Sequence, residues 1–430
     1  AILAQAQAIE HRLQPNRSFY MSIQSLLCTL CFCALQENIL ATHDEIGLLQ
    51  TKLETNKLET KASHRDKDGT GGRDRNGRNV LFIIADDLRS LNSGSNPDAV
   101  HMHTPHLKAF MNESLVLTNS HAQQAQCAPS RASVLFGRRP DTMHVWSSVL
   151  MTDSFRIRRY CKTCKTIPGV FKDAGYYAIG MGKIFDDDLG DVLGPPDPLL
   201  QDAQSWSDPA FAGENWFYGE DVCGNLNLSS SWRIVDENLI GPCQDSLVRD
   251  YAVSQLRALT TRNTTQPWFL AVGFRKPHLP FACPDKFYNL YNREDAKLAS
   301  NPFAPQGMPS IAWRDYEIPK YYDIQAAGYT GAINETLNNG KAKELVHAYQ
   351  ACVSYLDHNV GVLLNELKLL GNWNSTIIVF LSDNGFKLGE HGLWAKRTNF
   401  YPDTRAPMML RIPELTDGGV VSDALVEHVD

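Results

Sequence analysis

The sequence predicts an α/β fold in which a large, mainly parallel sheet is flanked by helices. Continuous apolar runs at residues 80–84, 268–273 and 377–381 are typical of strands that are buried on both faces of a parallel sheet. Segments with helical spacing of apolar residues lie between these runs, and such alternation favours a parallel sheet. With 430 residues, of which 43% are hydrophobic, the chain can bury the large core that this fold requires.

Three helices are predicted between and around these strands. Residues 104–111 start with Thr-Pro, a pair that caps a helix and fills its first position. Residues 168–174 are followed by a glycine typical of a helix C-cap. Residues 342–370 carry apolar side chains at helical spacing until the next glycine. Towards the end of the chain, residues 410–413 predict another strand and residues 426–430 predict the beginning of a helix.

The chain divides into three parts by composition. Residues 1–42 form a leader whose apolar run at 25–35 has the length of a signal peptide, although an amphipathic helix or an untranslated leader read through would also explain it. Residues 43–78 are rich in charge and glycine and hold no aromatic side chain, so we interpret them as a low-complexity linker. The globular domain is predicted to extend over residues 79–430.

Charge and glycosylation signals limit the class of function. The net charge of −7 argues against an autonomous nucleic-acid-binding protein but allows a local basic pocket for an anionic substrate. The apolar run in the leader is too short to span a bilayer, so we expect no stable membrane insertion. Sequons for N-glycosylation favour passage through the secretory pathway. They begin at Asn112, Asn227, Asn263, Asn334 and Asn374.

Two polar pairs follow predicted strands. Asp86 and Asp87 come after the first apolar run, and Asp383 and Asn384 come after the third. Because ligands gather at the carboxyl ends of parallel strands, we expect the two pairs to lie at a binding site. Their oxygens suit a hard cation, Ca2+ or Mg2+, rather than Zn2+. For the first pair alone, the alternative is that it only caps the next helix.

A cysteine motif lies between the two pairs. Residues 127–131 read Cys-Ala-Pro-Ser-Arg, and residues 135–138 read Leu-Phe-Gly-Arg. With the polar pairs in the expected order, the chain resembles the type I sulfatases of the alkaline phosphatase superfamily. The resemblance implies an alkaline-phosphatase-like catalytic domain at residues 79–430 that lacks the C-terminal subdomain of the family. The alternative for Cys127 is a buried, inert thiol.

The resemblance also implies how residue 127 acts. In this family a formylglycine-generating enzyme oxidises the cysteine to formylglycine, and the hydrate of this aldehyde is the nucleophile. One hydroxyl attacks sulfur, and the other later expels sulfate by re-forming the carbonyl. Arg131, one helical turn after Cys127, would hold the hydrate. The implied ligands of one Ca2+ per chain are Asp86, Asp87, Cys127, Asp383 and Asn384.

Three further side chains receive catalytic roles from the same resemblance. Lys183 follows a Gly-x-Gly turn and would bind sulfate. His278 would donate a hydrogen bond or a proton to the leaving oxygen. Lys396 would hold the bridging ester oxygen and the sulfate. His391, five residues before Lys396, would either join the site or only position its loop.

Four positions depart from the family pattern. Asp186 stands where many relatives have histidine, and a carboxylate there would repel sulfate unless it is protonated or paired. Ala178 replaces the usual Ser or Thr, and Phe136 replaces the usual Thr. Gln126 precedes the cysteine where small or aliphatic residues are common. The residues needed for cysteine oxidation are intact, but Gln126 and Phe136 could make conversion less efficient.

Four other cysteines suggest disulfides. The resemblance implies a bond between Cys223 and Cys243, which flank a polar loop. Cys161 and Cys164 form a C-x-x-C with no second pair nearby, which makes a poor zinc site. A loop disulfide or two free thiols remain the alternatives for that pair.

These features predict a sulfuric ester hydrolase that acts on a sulfated glycosaminoglycan. Residues 138–142 and 276–278 are similar to the iduronate 2-sulfatase branch of the family. That similarity implies removal of the 2-sulfate from a terminal uronate of heparan or dermatan sulfate, in the lysosome or after secretion. Two alternatives stay open: a phosphoester hydrolase of the same superfamily, and an inactive relative that binds sulfated glycans without cleaving them.

Overall fold

A computed structural model describes residues 77–91, 100–147, 158, 160–186, 202–208, 223, 228–333 and 335–430. The leader predicted at residues 1–42 lies outside these residues, and so does the predicted linker except for residues 77 and 78. The sequons at Asn227 and Asn334 also lie outside them.

A seven-stranded, mostly parallel sheet forms the centre of the domain, so the predicted fold class is confirmed. Its strand order is β11-β2-β10-β7-β1-β5-β3, and only β10 runs antiparallel to its neighbours. Two short sheets, β4-β6 and β8-β9, complete the described strands. The strands are β1 (Asn79–Asp86), β2 (Leu115–His121), β3 (Tyr177–Gly182), β4 (Trp232–Val235), β5 (Trp268–Pro277), β6 (Phe281–Pro284), β7 (Thr376–Ser382), β8 (Lys387–Leu388), β9 (Trp394–Ala395), β10 (Met408–Arg411) and β11 (Val420–Glu427).

Helices cover both faces of this sheet. Those with most influence on the site are α2, which carries the cysteine motif, and α9, which is the longest. The described helices are α1 (Pro105–Met111), α2 (Cys127–Phe136), α3 (Pro140–Met143), α4 (Ile167–Asp173), α5 (Glu237–Ile240), α6 (Gln244–Thr261), α7 (Asp285–Tyr288), α8 (Tyr322–Ala326), α9 (Asn339–Leu369) and α10 (Tyr401–Thr404).

The sheet separates two hydrophobic cores. Alternate side chains of a strand point to opposite faces, and β1 shows this directly. Leu81 and Ile83 pack into one core with residues of α6 and α9. Phe82 and Ile84 pack into the other core with residues of α2 and α4. Burial on both faces explains why this strand is a continuous apolar run rather than an alternating one.

The predicted elements agree closely with the observed ones. The three apolar runs lie within β1, β5 and β7, and the three predicted helices correspond to α1, α4 and α9. Two of these helices have the side-chain caps that helix starts need: Thr166 accepts from the backbone N–H of Gly169, and Asn338 accepts from that of Lys341. Gly371, just after α9, adopts a φ of 73°.

The helix start predicted at residues 426–430 is wrong. Val426 belongs to β11, which pairs in parallel with β2, and the chain turns only after Glu427. From Val420 to Val426 the side chains alternate between more buried and exposed, which is the period of a strand rather than of a helix. The nearby strand predicted at residues 410–413 exists as β10, shifted by two residues.

Two disulfides lie within the described residues. The Cys223–Cys243 bond confirms the predicted pairing, and Cys161 and Cys164 are bonded rather than free. Cys127, Cys283 and Cys352 are free and buried.

The structure bears on two features of the secretory and membrane predictions, the exposure of the sequons and the character of the helices. The sequon residues Asn112, Asn263 and Asn374 are all exposed. Among the described residues, none of the helices has the length and apolar character needed to cross a bilayer.

Candidate active site

The two polar pairs meet at the carboxyl ends of β1 and β7. These strands are parallel neighbours with Ala85 opposite Ser382, so the residues that follow them emerge at one edge of the sheet. The backbone N–H of Asp87 donates to Asp383 Oδ1 at 3.0 Å, and Asn384 Nδ2 donates to Asp87 Oδ1 at 2.7 Å. All the carboxylates of this group are fully buried. The pairs therefore form one cluster, which local helix capping does not explain.

This cluster has the properties of a cation site. Oxygens of Asp86, Asp87 and Asp383 lie within 4.8 Å of one another. Within the described residues, Asp87 Oδ2 and Asn384 Oδ1 are buried acceptors without a hydrogen-bond donor. Such atoms are rare in folded proteins because burying them unpaired costs free energy. A hard cation would satisfy both oxygens, and the all-oxygen set suits Ca2+ or Mg2+.

The carboxyl groups of this cluster differ in the direction in which their pKa is shifted. Burial raises the pKa of Asp87 well above its usual range and outweighs the attraction of Lys396, and the charges of Asp86 and Asp383 add to the rise. Burial also opposes ionisation of Asp86, but Lys183 and the other nearby cations outweigh it and hold its pKa well below the usual range. The negative charge is therefore undercompensated around Asp87, where the unpaired oxygen lies.

Cys127 is the first residue of α2 and faces this cluster. Its Sγ lies 3.3 Å from Asp86 Oδ1 and 2.8 Å from Lys396 Nζ. Burial raises the pKa of the thiol well above its usual range, and Asp86 adds to the rise. An unmodified thiol therefore stays neutral and is a weak nucleophile, because reactivity belongs to the thiolate.

Arg131 lies one turn along α2 and binds the carboxylates. Its Nε donates to Asp383 Oδ2 at 2.8 Å, and Nη2 lies 3.5 Å from Asp86 Oδ1. Nη1 donates to the backbone carbonyl of Lys183. Although burial alone would lower its pKa, Asp383 and Asp86 raise it overall, so the side chain stays charged. It thus links α2 to both strand ends.

Lys183 reaches the cluster because of the glycine before it. Gly182 has a φ of 69°, and a Cβ there would lie 2.0 Å from the backbone oxygen of Gly273 on β5. No side chain fits that space, so the turn at the end of β3 requires glycine. From this turn Lys183 Nζ donates to Asp86 Oδ2 at 2.8 Å.

Asp186 is paired with the predicted sulfate ligand. Its buried carboxylate lies 3.3 Å from Lys183 Nζ, three residues away in the sequence. Pairing removes part of the repulsion expected for a carboxylate at this position. Its negative charge nevertheless remains beside Lys183, where it opposes the binding of another anion.

Lys396 and His278 complete the set of predicted side chains. Lys396 Nζ donates to Asp87 Oδ1 and to Cys127 Sγ. Although burial alone would lower its pKa, Asp87 and Cys127 raise it overall, so the ammonium is retained. His278 Nδ1 lies 2.6 Å from the carbonyl oxygen of Leu279, which can only accept, so this nitrogen carries a proton. His278 Nε2 faces Asp87 Oδ2 at 3.8 Å.

His391 lies beside the cluster rather than in it. Its backbone N–H donates to Asn301 O at 2.8 Å, and its ring stacks on Phe400. The adjacent Glu390 binds Arg89 Nη2 at 2.6 Å and accepts from the backbone of Leu388. This segment thus fixes the loop before Lys396.

Several residues that support the site were missed in the sequence. Tyr349 on α9 donates to the carbonyl of Asp87, and Asp245 on α6 accepts from the backbone N–H groups at residues 275 and 276. Glu317 is an acid with a 12% exposed side chain that lies near Lys396 and binds Arg397. Each lies far along the chain from its partner, and none stands in a recognisable motif, so no local signal could reveal it.

Comparisons with known proteins identify the family of the chain. The chain belongs to the sulfatase family, which it matches over residues 78–430. It is 36% identical over 346 residues to the iduronate 2-sulfatase of Homo sapiens, covering 79% of this chain and 60% of that protein. It is 27% identical over 350 residues to the choline-sulfatase of Rhizobium meliloti, covering 79% of this chain and 64% of that one. The chain thus spans less than two thirds of the length of these relatives.

Solved structures share the fold at lower identity. A protein in complex with its substrate D-glucosamine-2-N,6-O-disulfate aligns with a TM-score of 0.58 and 20% identity, over 82% of this chain and 74% of that one. The phosphonate monoester hydrolase of Agrobacterium radiobacter aligns with a TM-score of 0.59 and 18% identity, over 82% and 72%. At these identities the likeness concerns the fold alone.

The cluster of buried oxygens generates a first prediction. Ca2+ added to the metal-free protein should raise its free energy of unfolding, by about 2.7 kcal/mol at an ion concentration of 100 times Kd. Asp383→Asn should lose most of this gain, because it removes a carboxylate from the oxygen cluster. Urea unfolding with Ca2+ and with chelator measures the effect. Asp250→Asn, at a 62% exposed side chain, is the matched control. An Asp383→Asn protein that Ca2+ stabilises as strongly as wild type would remove Asp383 from the ligand set.

Asp186 generates a second prediction. Asp186→Asn should tighten binding of inorganic sulfate by roughly tenfold, because it removes a negative charge 3.3 Å from Lys183. Asp186→Glu, which keeps the charge, should not tighten it. Calorimetric titration of the Ca2+-loaded proteins with sulfate measures both. Equal sulfate affinity in the Asn variant and wild type would show that this carboxylate does not oppose the anion.

Proposed function

We propose that this protein is a sulfuric ester hydrolase with a formylglycine nucleophile at residue 127 and one Ca2+. A single observation carries the proposal: Cys127, within a sulfatase maturation motif, lies 3.3 Å from Asp86 and 2.8 Å from Lys396 in a buried cluster. Neither neighbour is needed for packing a thiol. Both suit a group that must attack a negatively charged ester.

The cysteine motif supports oxidation of residue 127 by a formylglycine-generating enzyme. The aldehyde hydrate would supply one hydroxyl to attack sulfur and a second whose deprotonation re-forms the aldehyde and releases sulfate. The raised pKa of the Cys127 thiol supports the need for this change, because the neutral thiol is a poor nucleophile. Arg131 keeps residue 127 and both strand ends in a fixed arrangement through Asp383 and Asp86.

The cation would be held by both polar pairs and residue 127. It would supply Lewis-acid chemistry by neutralising the charge that develops on the sulfate oxygens. The proposed ligands are Asp86, Asp87, residue 127, Asp383 and Asn384, and the unpaired buried oxygens of Asp87 and Asn384 support this assignment.

Three side chains interact with the sulfate ester, two as cations and one as a proton donor. Lys183 and Lys396 bind sulfate oxygens, and their contacts with Asp86 and Asp87 keep both ammonium groups at the cluster. His278 gives a proton to the leaving oxygen from Nε2, since Nδ1 is occupied with the carbonyl of Leu279. The leaving alcohol then departs neutral rather than as an alkoxide.

The proposed substrate is the 2-sulfate of a terminal uronate in heparan or dermatan sulfate. Identity of 36% with human iduronate 2-sulfatase supports this substrate class. The same similarity supports action in the lysosome or after secretion, and the two disulfides are compatible with an oxidising compartment.

The chemistry generates a third prediction. In protein made in a secretory host, the tryptic peptide that contains residue 127 should carry formylglycine, as its mass will show. Cys127→Ala should then lower turnover of an aryl sulfate by at least about 1000-fold, because the nucleophile is lost.

Two controls make this test decisive. Cys352→Ala changes another buried free cysteine, outside the site, and should keep the activity. A known sulfatase expressed in the same cells verifies that they carry out the oxidation. Unmodified Cys127 beside a converted control would favour the inactive glycan-binding relative and point to Gln126 and Phe136 as the causes.

The substrate generates a fourth prediction. A disaccharide with a 2-sulfated terminal uronate should release sulfate at least about tenfold faster, in kcat/KM, than one sulfated only at O6 of glucosamine. Ion chromatography of released sulfate measures both. The reverse preference would reject the uronate assignment but keep the hydrolase, whereas faster turnover of an aryl phosphate than of the matched aryl sulfate would favour the phosphoester hydrolase.

A further inference from the structure

A polar cavity adjoins the proposed nucleophile. Its volume is about 310 Å3. It shares Gln126 with the start of α2 and Arg397 with the loop that carries Lys396, so it lies next to the reaction centre on two sides. Its lining side chains include Gln123, Gln124, Gln126, Arg397, Thr398 and Asn399. Amides and a hydroxyl suit the hydroxyl groups of a sugar, and the arginine is the one charged member of this set.

Arg397 is held rigidly at this cavity. Its Nε donates to Glu317 Oε1 at 2.5 Å, and its guanidinium lies over the ring of Tyr316 at 4.4 Å. Its backbone N–H donates to Ala125 O at 3.1 Å, which ties the loop to the segment before α2. The residue has a φ of 81°, a conformation that costs free energy in a non-glycine residue and is retained mainly where the surroundings enforce it.

The outer end of this side chain is available to a ligand. Among the described residues, neither terminal nitrogen of Arg397 has a hydrogen-bond partner, and the side chain is 18% exposed. Glu317 engages only Nε, and it is itself flanked by Lys396. The two terminal nitrogens form a planar pair of donors, which matches the two oxygens of a carboxylate.

We propose that Arg397 is a specificity-determining residue that binds the carboxylate of the uronate ring whose sulfate ester is cleaved. The inference rests on the proposed function, because it assumes that the sulfated ring lies at residue 127. Glu317 is then a positioning residue that fixes the guanidinium through Nε. The neutral amides of the cavity contact the ring hydroxyls.

The experiment compares two substrates on two enzymes. Arg397→Gln should lower kcat/KM for the 2-sulfated uronate disaccharide by about 10- to 100-fold, since a hydrogen-bonded charge pair is lost. The carboxyl-reduced disaccharide, which has an alcohol in place of the carboxylate, should lose far less. Arg397→Lys should restore part of the difference, because it keeps the charge without the planar donor pair. Arg249→Gln, at a side chain of 16% exposure on α6, is the matched control and should affect neither substrate.

The outcomes separate this inference from the proposed function. Equal losses on the acid and the reduced substrate would overturn the role of Arg397 while leaving the hydrolase intact. Absence of sulfate release by wild type would count against the proposed function. Calorimetric binding of the same two disaccharides to Cys127→Ala, with and without Arg397→Gln, then gives the same comparison without turnover. In that assay, a preference for the carboxylate that survives Arg397→Gln would overturn the inference.

Discussion

The balance between buried carboxylates and buried cations is the interaction on which this site depends. Asp86, Asp87 and Asp383 are wholly removed from water, and each buried charge costs about several kcal/mol unless it is compensated. Arg131, Lys183 and Lys396 provide that compensation unevenly. They hold the pKa of Asp86 low, whereas burial and the neighbouring Asp86 raise the pKa of Asp383 to about 7. A divalent cation would add the positive charge that Arg131, Lys183 and Lys396 do not supply around Asp87 and Asp383.

The sheet imposes this concentration of charge. Parallel pairing of β1 with β7 brings the two strand ends to one edge, and the Ser382 hydroxyl closes the gap by accepting from Leu88 N and donating to Asn384 O. Tyr349 reaches across from α9 to the carbonyl of Asp87. The charged groups therefore lie on the rigid centre of the fold, and relaxing their repulsion would require moving the strands themselves. Such preorganisation is what electrostatic stabilisation of a transition state requires.

The sequence revealed those parts of the molecule that depend on local patterns. Burial on both faces produced the apolar runs of β1, β5 and β7, and helical spacing produced α9. The cysteine motif and the polar pairs identified side chains that the structure brings into one cluster, although their roles remain proposals. The misassigned segment at residues 426–430 shows the limit, since β11 is a strand only because β2 offers an edge about 300 residues earlier in the chain.

The residues that support the site could not be predicted from the sequence for a related reason. Asp245, Glu317 and Tyr349 act through partners that the fold alone brings close. A mostly enclosed acid such as Glu317 looks in the sequence like any exposed glutamate, because its partner Arg397 is 80 positions away. The same holds for Asp186. The sequence indicated that its carboxylate would repel sulfate unless it was protonated or paired, and only the structure shows that it pairs with Lys183.

The loop that carries Lys396, next to the proposed nucleophile, also carries Arg397, the proposed recognition residue. Ala395 and Arg397 both have positive φ values, on either side of Lys396. The strained backbone directs the Lys396 ammonium to Cys127 and the Arg397 guanidinium to Glu317. The backbone N–H of Arg397 also donates to the carbonyl of Ala125, two residues before the nucleophile. This bond fixes the distance between Arg397 and residue 127. A substrate held by Arg397 can reach residue 127 in few orientations, so recognition of a distant anionic group would be expressed as transition-state stabilisation rather than as binding alone.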